Sequence, residues 1–496
     1  MPQNKSFSLA PLSPLSPLSR AVASLLLAAA LAGCAVGPAY ERPATPEAAA
    51  WKEMPTAAGW VAATPADAAA RGPWWQLFGD PVLDELAERV QVNNQNIAAA
   101  VAAYTQAQAA VREQRAALFP TLGLSASARR SGDRNNGASN ATGANSVSLG
   151  AAWEPDLWGR LRASVSSAQA QAQASEADLA AARLSMLGEL VIDYFSLREA
   201  DAELATLAAT IEGYERSLTI NSNRYEAGIA AQSDVLQAQT LLANTRSQRA
   251  ALVRTRATFE HAIAVLTGVP PAGFAIAAAD WKPTVPMMPP GLPSELLQRR
   301  PDIAVAERAV ASANEQIGIA RSAYYPSFSF DASLGRSTSR ISDLFNASDA
   351  LWSLGLSMAQ VVFDAGAIGA RVDQAKAAHA GAVANYRQTV LSAFQAVEDQ
   401  LGALTSLAEQ VAQSRIASSA ADKTEEQIIN RYRAGQVDYT DVVVAQASAL
   451  SARRNVLQLQ VAQQVAAVGL IQALGGGWQA QWLLPQAVAD DGHTPR

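Results

Sequence analysis

The stretch RYEAG at residues 224–228 recurs as RYRAG at residues 431–435. The two copies begin 431 − 224 = 207 residues apart, and the same offset relates Asp234 to Asp441. Several matches at one spacing indicate an internal duplication. Each motif lies between two helical patterns, and glycine is the usual residue at a left-handed helix C-cap. The motifs therefore predict two helix–turn–helix tips, one in each half of the chain.

Outward from the tips, the duplication divides the chain into two structural repeats joined by a linker. Prolines are concentrated in the linker, where they favour extended backbone without internal hydrogen bonds. The expected segments are a lipoprotein signal peptide (1–33), a lipidated N-terminal arm (34–79), the first repeat (80–270), the Pro-rich linker (271–292), the second repeat (293–477) and an irregular C-terminal tail (478–496).

Each repeat shows one order of elements: helix, strand, strand, very long helix, turn, helix. Asp80 followed by Pro81 is a typical helix start, because aspartate caps free amides and proline fits the first turn, and Pro120 ends this helix. The long helical patterns cover residues 156–223 and 364–430 and contain no proline. About 70 residues at 1.5 Å each give helices of about 100 Å, a length that predicts coiled-coil packing.

Four segments alternate apolar and polar residues at the period of a β-strand. Leu, Phe and Trp occupy one face of these segments, whereas Ser, Gly and Asp occupy the other. Their length and their polar second face favour strands that cross a bilayer over a soluble sheet covered by helices. The predicted strands are residues 121–128, 146–153, 327–334 and 351–358, with polar loops at 129–145 and 335–350.

Four strands are too few for a transmembrane barrel. Such barrels begin at about eight strands, and an open edge in lipid leaves backbone groups unsatisfied. Several chains must therefore contribute strands to one barrel. Two, three or four chains all give an even number of strands, so this arithmetic leaves the number of chains open.

Composition excludes several other classes of protein. A net charge of −6 disfavours a nucleic-acid-binding protein, and a mean hydropathy of +0.03 disfavours a polytopic helical membrane protein. Three His and one Cys leave almost no ligands for a metal or a haem, so we expect no metal site and no cofactor. The sequence offers no Ser-His-Asp set, Cys-His set or Gly-rich phosphate loop, so we do not expect an enzyme.

The amino terminus carries the pattern of an exported lipoprotein. Residues 21–32 form an apolar run of the length found in signal peptides, preceded by basic residues. The run ends in Leu31-Ala32-Gly33-Cys34, which resembles a bacterial lipobox, and Cys34 is the only cysteine in the chain. We therefore expect Cys34 to be lipidated and to anchor the mature chain in a membrane. An ordinary signal peptide with a nearby cysteine is the alternative.

Further motifs match one known family. Val36-Gly37-Pro38-Ala39-Tyr40 follows the cysteine, Trp74-Trp75 precedes the first repeat, and Arg299-Arg300-Pro301-Asp302-Ile303 begins the second. With both tip motifs, these residues resemble the outer membrane efflux proteins of the TolC-like superfamily, in their NodT-type lipoprotein branch. The resemblance implies an α+β membrane protein. Three chains, with four strands each, would form a 12-stranded outer-membrane β-barrel that continues as a long periplasmic α-helical barrel.

The resemblance also implies a function. The homotrimer would be the exit duct of a tripartite efflux system in the outer membrane of a Gram-negative bacterium, passively passing small toxic compounds such as drugs. Its partners would be a periplasmic adaptor protein, an inner-membrane efflux pump and outer membrane lipid, with no nucleic acid. The alternatives are a duct for protein or polysaccharide export and a non-conducting structural lipoprotein of the envelope.

In this family the tips face the adaptor and close the channel at rest. The matching tip positions are Tyr225, Gly228, Tyr432 and Gly435. By the resemblance, the Tyr432 hydroxyl would bond Asp234, and Asp441 would face the channel axis. Three axial carboxylates repel one another unless they are protonated or bind an ion. Tyr432, Asp234 and Asp441 are therefore the expected periplasmic gate.

Two positions depart from the family pattern at this gate. Val437 stands where some members have a gating arginine, and Val444 stands where a second axial aspartate is common. For Asp441 the alternative is a plain acidic residue at a helix start. Ser233-Asp234 and Thr440-Asp441 fit both helix caps and first-turn acids.

Overall fold

The computed structural model describes residues 36–45, 51–53, 72–135, 138–286, 299–340 and 350–476. The α-helices in these residues are α1 (Pro81–Asn93), α2 (Gln95–Ala116), α3 (Arg160–Glu226), α4 (Gln232–Leu266), α5 (Pro301–Ser322), α6 (Ala367–Arg433) and α7 (Tyr439–Ala473). The strands are β1 (Thr121–Asn135), β2 (Ala138–Trp153), β3 (Ser327–Thr338) and β4 (Ala350–Ala359). Short 3-10 helices lie at Trp74–Phe78 and Pro271–Gly273.

The duplication is visible in the lengths of the helices. α3 and α6 have 67 residues each, and α4 and α7 have 35 residues each. Asp156 accepts hydrogen bonds from the amides of Leu161 and Arg162 at the start of α3, and Asp364 accepts one from the amide of Ile368 at the start of α6. Both long predicted helices are present, and each begins a few residues after the aspartate that caps it.

The first predicted helix starts as expected but is interrupted at Asn94. Asp80 accepts from the first amides of α1, which confirms its predicted capping role. The Oδ1 of Asn94 accepts from the amides of Asn96 and Ile97 at 2.9 and 3.1 Å, while its Nδ2 donates to the carbonyl oxygen of Leu266 at 2.9 Å. One asparagine thus caps α2 and binds the end of α4, a tertiary contact that a periodic pattern does not reveal.

The four strands form one antiparallel sheet in sequence order. β1 continues to Asn135 and β2 begins at Ala138, so the predicted polar loop at 129–145 is wrong because most of it is strand. β3 likewise extends to Thr338. Ladder hydrogen bonds join backbone groups, so a strand can continue beyond Ala128, where its apolar alternation stops.

The two faces of the sheet have different chemistry. Leu124, Leu334 and Trp352 on the apolar face are 76%, 58% and 78% exposed. On the opposite face, serine hydroxyls pair across neighbouring strands. The pairs are Ser125–Ser148, Ser127–Ser146, Ser329–Ser357 and Ser333–Ser353, at 2.6–2.8 Å. An uncovered apolar face backed by a hydroxyl face is typical of strands between lipid and water.

The chain forms two compact units, and each unit takes residues from both repeats. The first unit comprises Met1–Arg42, Ala107–Ala172 and Ala309–Val383, and the second comprises Pro43–Gln106, Gln173–Arg308 and Ala384–Arg496, within the described residues. The first unit contains the sheet, and the second contains both tips. The repeats and the compact units therefore follow different boundaries.

Helix α7 is the one described helix whose length and apolar composition match a membrane span. Many of its apolar side chains are nevertheless packed inside the second unit. Val468, Leu470 and Ile471 are at most 3% exposed, and Val468 and Ile471 share a core with Trp74 and Trp75. Burial inside the protein thus accounts for the apolar character of the core-packed part of α7, whereas Val444 is 64% exposed.

A buried ion cluster fixes the start of the linker against the helices. Asp201, which is 7% exposed, accepts hydrogen bonds from Nη1 of Arg198 at 3.1 Å and from Nε of Arg256. The two guanidinium groups also donate to the carbonyl oxygens of Ala277 and Ile276, at 2.8 and 2.6 Å. Glu260 also accepts from Nη1 of Arg256 at 3.1 Å, so two carboxylates neutralise the two cations that hold the linker backbone.

Replacing Asp201 by asparagine should destabilise the protein strongly. Removing one partner of a buried ion pair costs about 3–5 kcal/mol, because the remaining charges stay buried. The measurement is thermal unfolding of the purified protein in detergent. The control is Glu212→Gln, because the pair of Glu212 with Arg216 spans 3.9 Å and both side chains are 71% exposed. Such a pair is worth at most about 1 kcal/mol, and equal losses in the two variants would contradict the role of Asp201.

Candidate functional site

Both tips end their long helix in the same way. Gly228 and Gly435 have φ angles of 71° and 72°, in the left-handed region that favours glycine. At the first tip the amide of Ile229 donates to the carbonyl oxygen of Arg224 at 2.8 Å, and the second tip repeats this bond. These are Schellman endings, so the predicted glycine C-caps are confirmed.

The acidic residues of the tips lie in the first turn of the helices that follow. Asp234 and Asp441 are the third residues of α4 and α7, whereas the N-cap positions belong to Ala231 and Asp438, neither of which makes a side-chain capping bond. The first-turn interpretation is therefore correct and the capping interpretation is wrong. A carboxylate in this turn is favoured by the positive end of the helix dipole. Asp441 is exposed in the single chain.

The hydroxyl of Tyr432 bonds a residue other than the predicted one. It donates to Oδ1 of Asn221 on α3 at 2.6 Å, and the side chains of Tyr432 and Asn221 are buried. The predicted bond to Asp234 is wrong. Asp234 acts on Tyr432 only through its charge: burial raises the pKa of Tyr432, the Arg224 guanidinium opposes this, and Asp234 adds to the rise. A buried amide needs a partner more than a partly exposed carboxylate does.

A small aromatic cluster surrounds this hydrogen bond. The ring of Tyr439, the first residue of α7, lies 5.3 Å from the ring of Tyr432. The guanidinium of Arg224 lies 4.8 Å from the centre of the Tyr432 ring, within the range of a cation–π contact. Ala238 and Val442 complete the buried cluster. The second tip is therefore packed onto α3 and α4 by apolar, aromatic and hydrogen-bond contacts together.

The first tip lacks such packing in the single chain. Tyr225, the counterpart of Tyr432, is 45% exposed, and Ile229 beside Gly228 is 67% exposed. The two tips thus share a backbone turn but differ in surface. Each repeat contributes one helix pair, α3 with α4 in the first and α6 with α7 in the second. Of the predicted site residues, the structure packs only Tyr432 against the helix pair of the other repeat, and it leaves Tyr225 exposed.

Sequence reasoning missed Asn221 and Tyr439, although the duplication contains a signal for both. At the 207-residue offset, Asn221 is matched by Ile428, and Tyr439 is matched by Gln232. A contact that is made inside both helix pairs needs equivalent residues in both repeats. Positions where the repeats differ are therefore free to form contacts between the two pairs. A residue-by-residue comparison of the repeats would have marked them as candidates for contacts between the pairs.

Contacts inside each helix pair instead use matched positions. Arg246 of α4 binds Glu215 of α3 at 2.6 Å, and Arg453 of α7 binds Asp422 of α6 at 2.8 Å. Both residues of the second bond lie 207 positions after those of the first. The duplication therefore preserves one ion pair that joins the long helix to the short helix in each pair.

Replacing Tyr432 by phenylalanine should loosen the second tip. The ring contacts remain, but the buried oxygen of Asn221 loses its donor, which costs about 1–3 kcal/mol. Amide hydrogen exchange measured by mass spectrometry should accelerate at residues 430–443. Tyr225→Phe is the matched control, because its hydroxyl is at an exposed side chain of the other tip. The same exchange in both variants would show that the Tyr432–Asn221 bond does not hold the tip.

Comparison with known proteins agrees with this architecture. The model of the family described as outer membrane efflux protein matches residues 86–269 and 292–476. The probable efflux pump outer membrane protein TtgC of Pseudomonas putida is 32% identical over 457 residues, which cover 91% of this chain and 94% of that protein. The cation efflux system protein CusC of Escherichia coli is 31% identical over 457 residues, which cover 91% and 98%.

Solved structures give the same result. The outer-membrane channel OprN superposes with a TM-score of 0.80 at 30% identity, and the alignment covers 90% of this chain and 100% of that one. The predicted resemblance is therefore confirmed, and so is the implied fold class of a trimeric channel with four strands per chain and a periplasmic helical barrel. This chain belongs to the outer membrane efflux protein family.

Proposed function

We propose that the chain is the outer membrane exit duct of a tripartite efflux system, which passively passes small toxic compounds expelled by an inner-membrane pump through a periplasmic adaptor. The observation that carries the proposal is the combination, in one chain, of a sheet with an uncovered apolar face and two 67-residue helices that end in paired tips. The apolar face of the sheet provides a surface that can contact lipid, and the long helices provide a passage of periplasmic length.

Three chains complete the barrel. Within one chain, β1 and β4 are the edges of the sheet, and unpaired edges are not tolerated in lipid. Pairing β4 of one chain with β1 of the next around a three-fold axis closes a 12-stranded barrel. The serine face lines a lumen wide enough for water, because barrels of this size are not filled by their own side chains. The duct performs no chemistry in this account, since it supplies only a passage.

The names of the relatives support a passage that is not selective by itself. They include a toluene efflux protein, an antibiotic efflux protein, a cation efflux protein and a pyoverdine export protein. Because one architecture serves such different molecules, we propose that the pump and the adaptor choose the substrate. We therefore assign to this chain the class of small toxic compounds and leave selection to its partners.

A deletion strain tests the function directly. Susceptibility to antibiotics, dyes, organic acids and metal salts is measured with and without the wild-type gene supplied in trans. We expect hypersensitivity to at least one class of small molecule, restored by the gene. Unchanged susceptibility across the panel, together with a missing protein or polysaccharide outside the cell, would contradict efflux and support macromolecular export.

Asp441 is the second element of the proposal. Its exposed side chain lies in the first turn of α7 beside the second tip, so three copies facing the axis would form a ring of carboxylates. Asp441→Ala should raise the resting conductance of the purified channel in planar bilayers and the entry of vancomycin into cells. Asp438→Ala is the control, because Asp438 precedes the helix. An unchanged leak in a correctly assembled Asp441→Ala trimer would exclude the ring.

Cys34 lies outside the described residues, and its lipidation is likewise proposed. Mass spectrometry of the mature amino-terminal peptide should find an acylated cysteine as its first residue. Cys34→Ser should abolish acylation and cleavage at this site, because the thioether that carries the lipid needs sulfur. A mature chain that begins elsewhere with a free Cys34 thiol would contradict the lipobox.

A further inference from the structure

A charged contact joins the two helix pairs far from the tips. Glu203 of α3 is 3% exposed, although it carries a carboxylate. Its oxygens accept hydrogen bonds from Nε and Nη2 of Arg454 on α7, at 3.3 and 3.2 Å, and from Nε2 of Gln458 at 3.2 Å. A charge this deeply buried is stable only with such partners.

On the side of Glu203 away from the tips, here called the core side, the pairs are packed closely. Val468 and Ile471 of α7 share a core with Leu187 of α3. A Cβ atom at Gly188 would lie only 1.8 Å from Nε2 of Gln472, so the end of this α7 side chain rests directly against the backbone of α3. The two helices cannot separate here without exposing the main core of the unit.

On the tip side, no described bond between the pairs joins two charged groups: the contacts are the Tyr432–Asn221 hydrogen bond, the Arg224–Tyr432 cation–π contact and a 3.5 Å contact between Gln237 and Thr440. Asn221 lies 221 − 203 = 18 residues beyond Glu203, or about 27 Å along α3. Between them, the buried hydroxyl of Tyr214 has no hydrogen-bond partner within the described part of the chain. The next bond between the pairs is the neutral one from Tyr432 to Asn221. A neutral hydrogen bond is weaker than one between charged groups.

The duplication shows that the Glu203 contact is specific to one interface. Glu203 is matched by Gln410 in the second repeat, and Arg454 is matched by Ser247 in the first. The neighbouring Arg453 does have a counterpart, because its ion pair lies inside a helix pair. The contact therefore joins the two pairs of one chain and has no copy elsewhere in the repeat pattern.

We propose that Glu203, held by Arg454 and Gln458, is a pivot: a fixed point beyond which α7 moves when the second tip releases. The proposal rests on the proposed function, in which the tip must open for transport. Release of Tyr432 frees only the stretch of α7 between Tyr439 and Arg453. Movement stops at Arg454, because the charged contact and the core behind it stay intact. Glu203 is thus a positioning residue that confines opening to the tip side.

Hydrogen exchange along α7 tests the pivot without measuring transport. The measured windows are residues 439–453 on the tip side and 459–473 on the core side, in assembled trimers. Tyr432→Phe should raise exchange about tenfold or more in the first window and leave the second unchanged. Where Tyr432→Phe alone leaves the first window unchanged, Val442→Asp opens the tip by placing a charge in its buried cluster.

The decisive variant adds Glu203→Gln to the open-tip variant. Glutamine keeps the size of the side chain but removes its charge, so exchange should rise about tenfold or more in the core-side window as well. Arg454→Lys tests the same point if Glu203→Gln trimers do not assemble, because lysine lacks the two-pronged geometry. Arg453→Gln is the matched control, since it breaks an ion pair inside the second helix pair and should leave the core-side window protected.

Two results would overturn the proposal. One is rapid exchange in the core-side window when the tip is open and Glu203 is intact. The other is an equal rise of exchange in that window for Glu203→Gln alone and for Glu203→Gln combined with the open-tip variant. That result would show that Glu203 only stabilises the interface and does not limit the movement of the tip. Efflux in cells is scored separately, so a failed pivot with normal efflux is distinct from a failed assignment of the duct.

Discussion

An unpaired backbone group in lipid costs several kcal/mol, and the rest of this structure depends on that constraint. The sheet of one chain has two open edges and an uncovered apolar face, so it becomes stable in a membrane only when chains join. Joining chains around an axis also aligns their long helices into a tube. The same requirement therefore produces both the membrane barrel and the periplasmic passage.

The duplication explains which contacts are shared and which are specialised. Arg246 with Glu215, and Arg453 with Asp422, join matched positions within each helix pair. The contacts of Asn221 and Glu203 use positions where the repeats differ. Assembly of each pair thus follows from the common ancestral pattern, whereas the relation between the pairs depends on later differences.

Much of this fold could be predicted from local sequence signals. Gly228 and Gly435 end helices by a backbone requirement that a five-residue motif reveals, and the alternation of β3 and β4 reveals two faces. Tertiary contacts could not be predicted in this way. Asn94 interrupts a helix to bind a distant carbonyl oxygen, and the Tyr432 hydroxyl selects Asn221 over the predicted Asp234, because burial across helices decides both.

The account depends most on whether the second tip must separate from α3 for transport. The direct measurement is efflux in cells that carry Asn221→Cys with Tyr432→Cys, treated with a reducible crosslinker that joins two thiols. The account predicts that crosslinked cells become as susceptible as a deletion strain and that reduction restores resistance, with either single cysteine unaffected by the reagent. Full resistance with the crosslink in place would contradict a channel that opens at this tip.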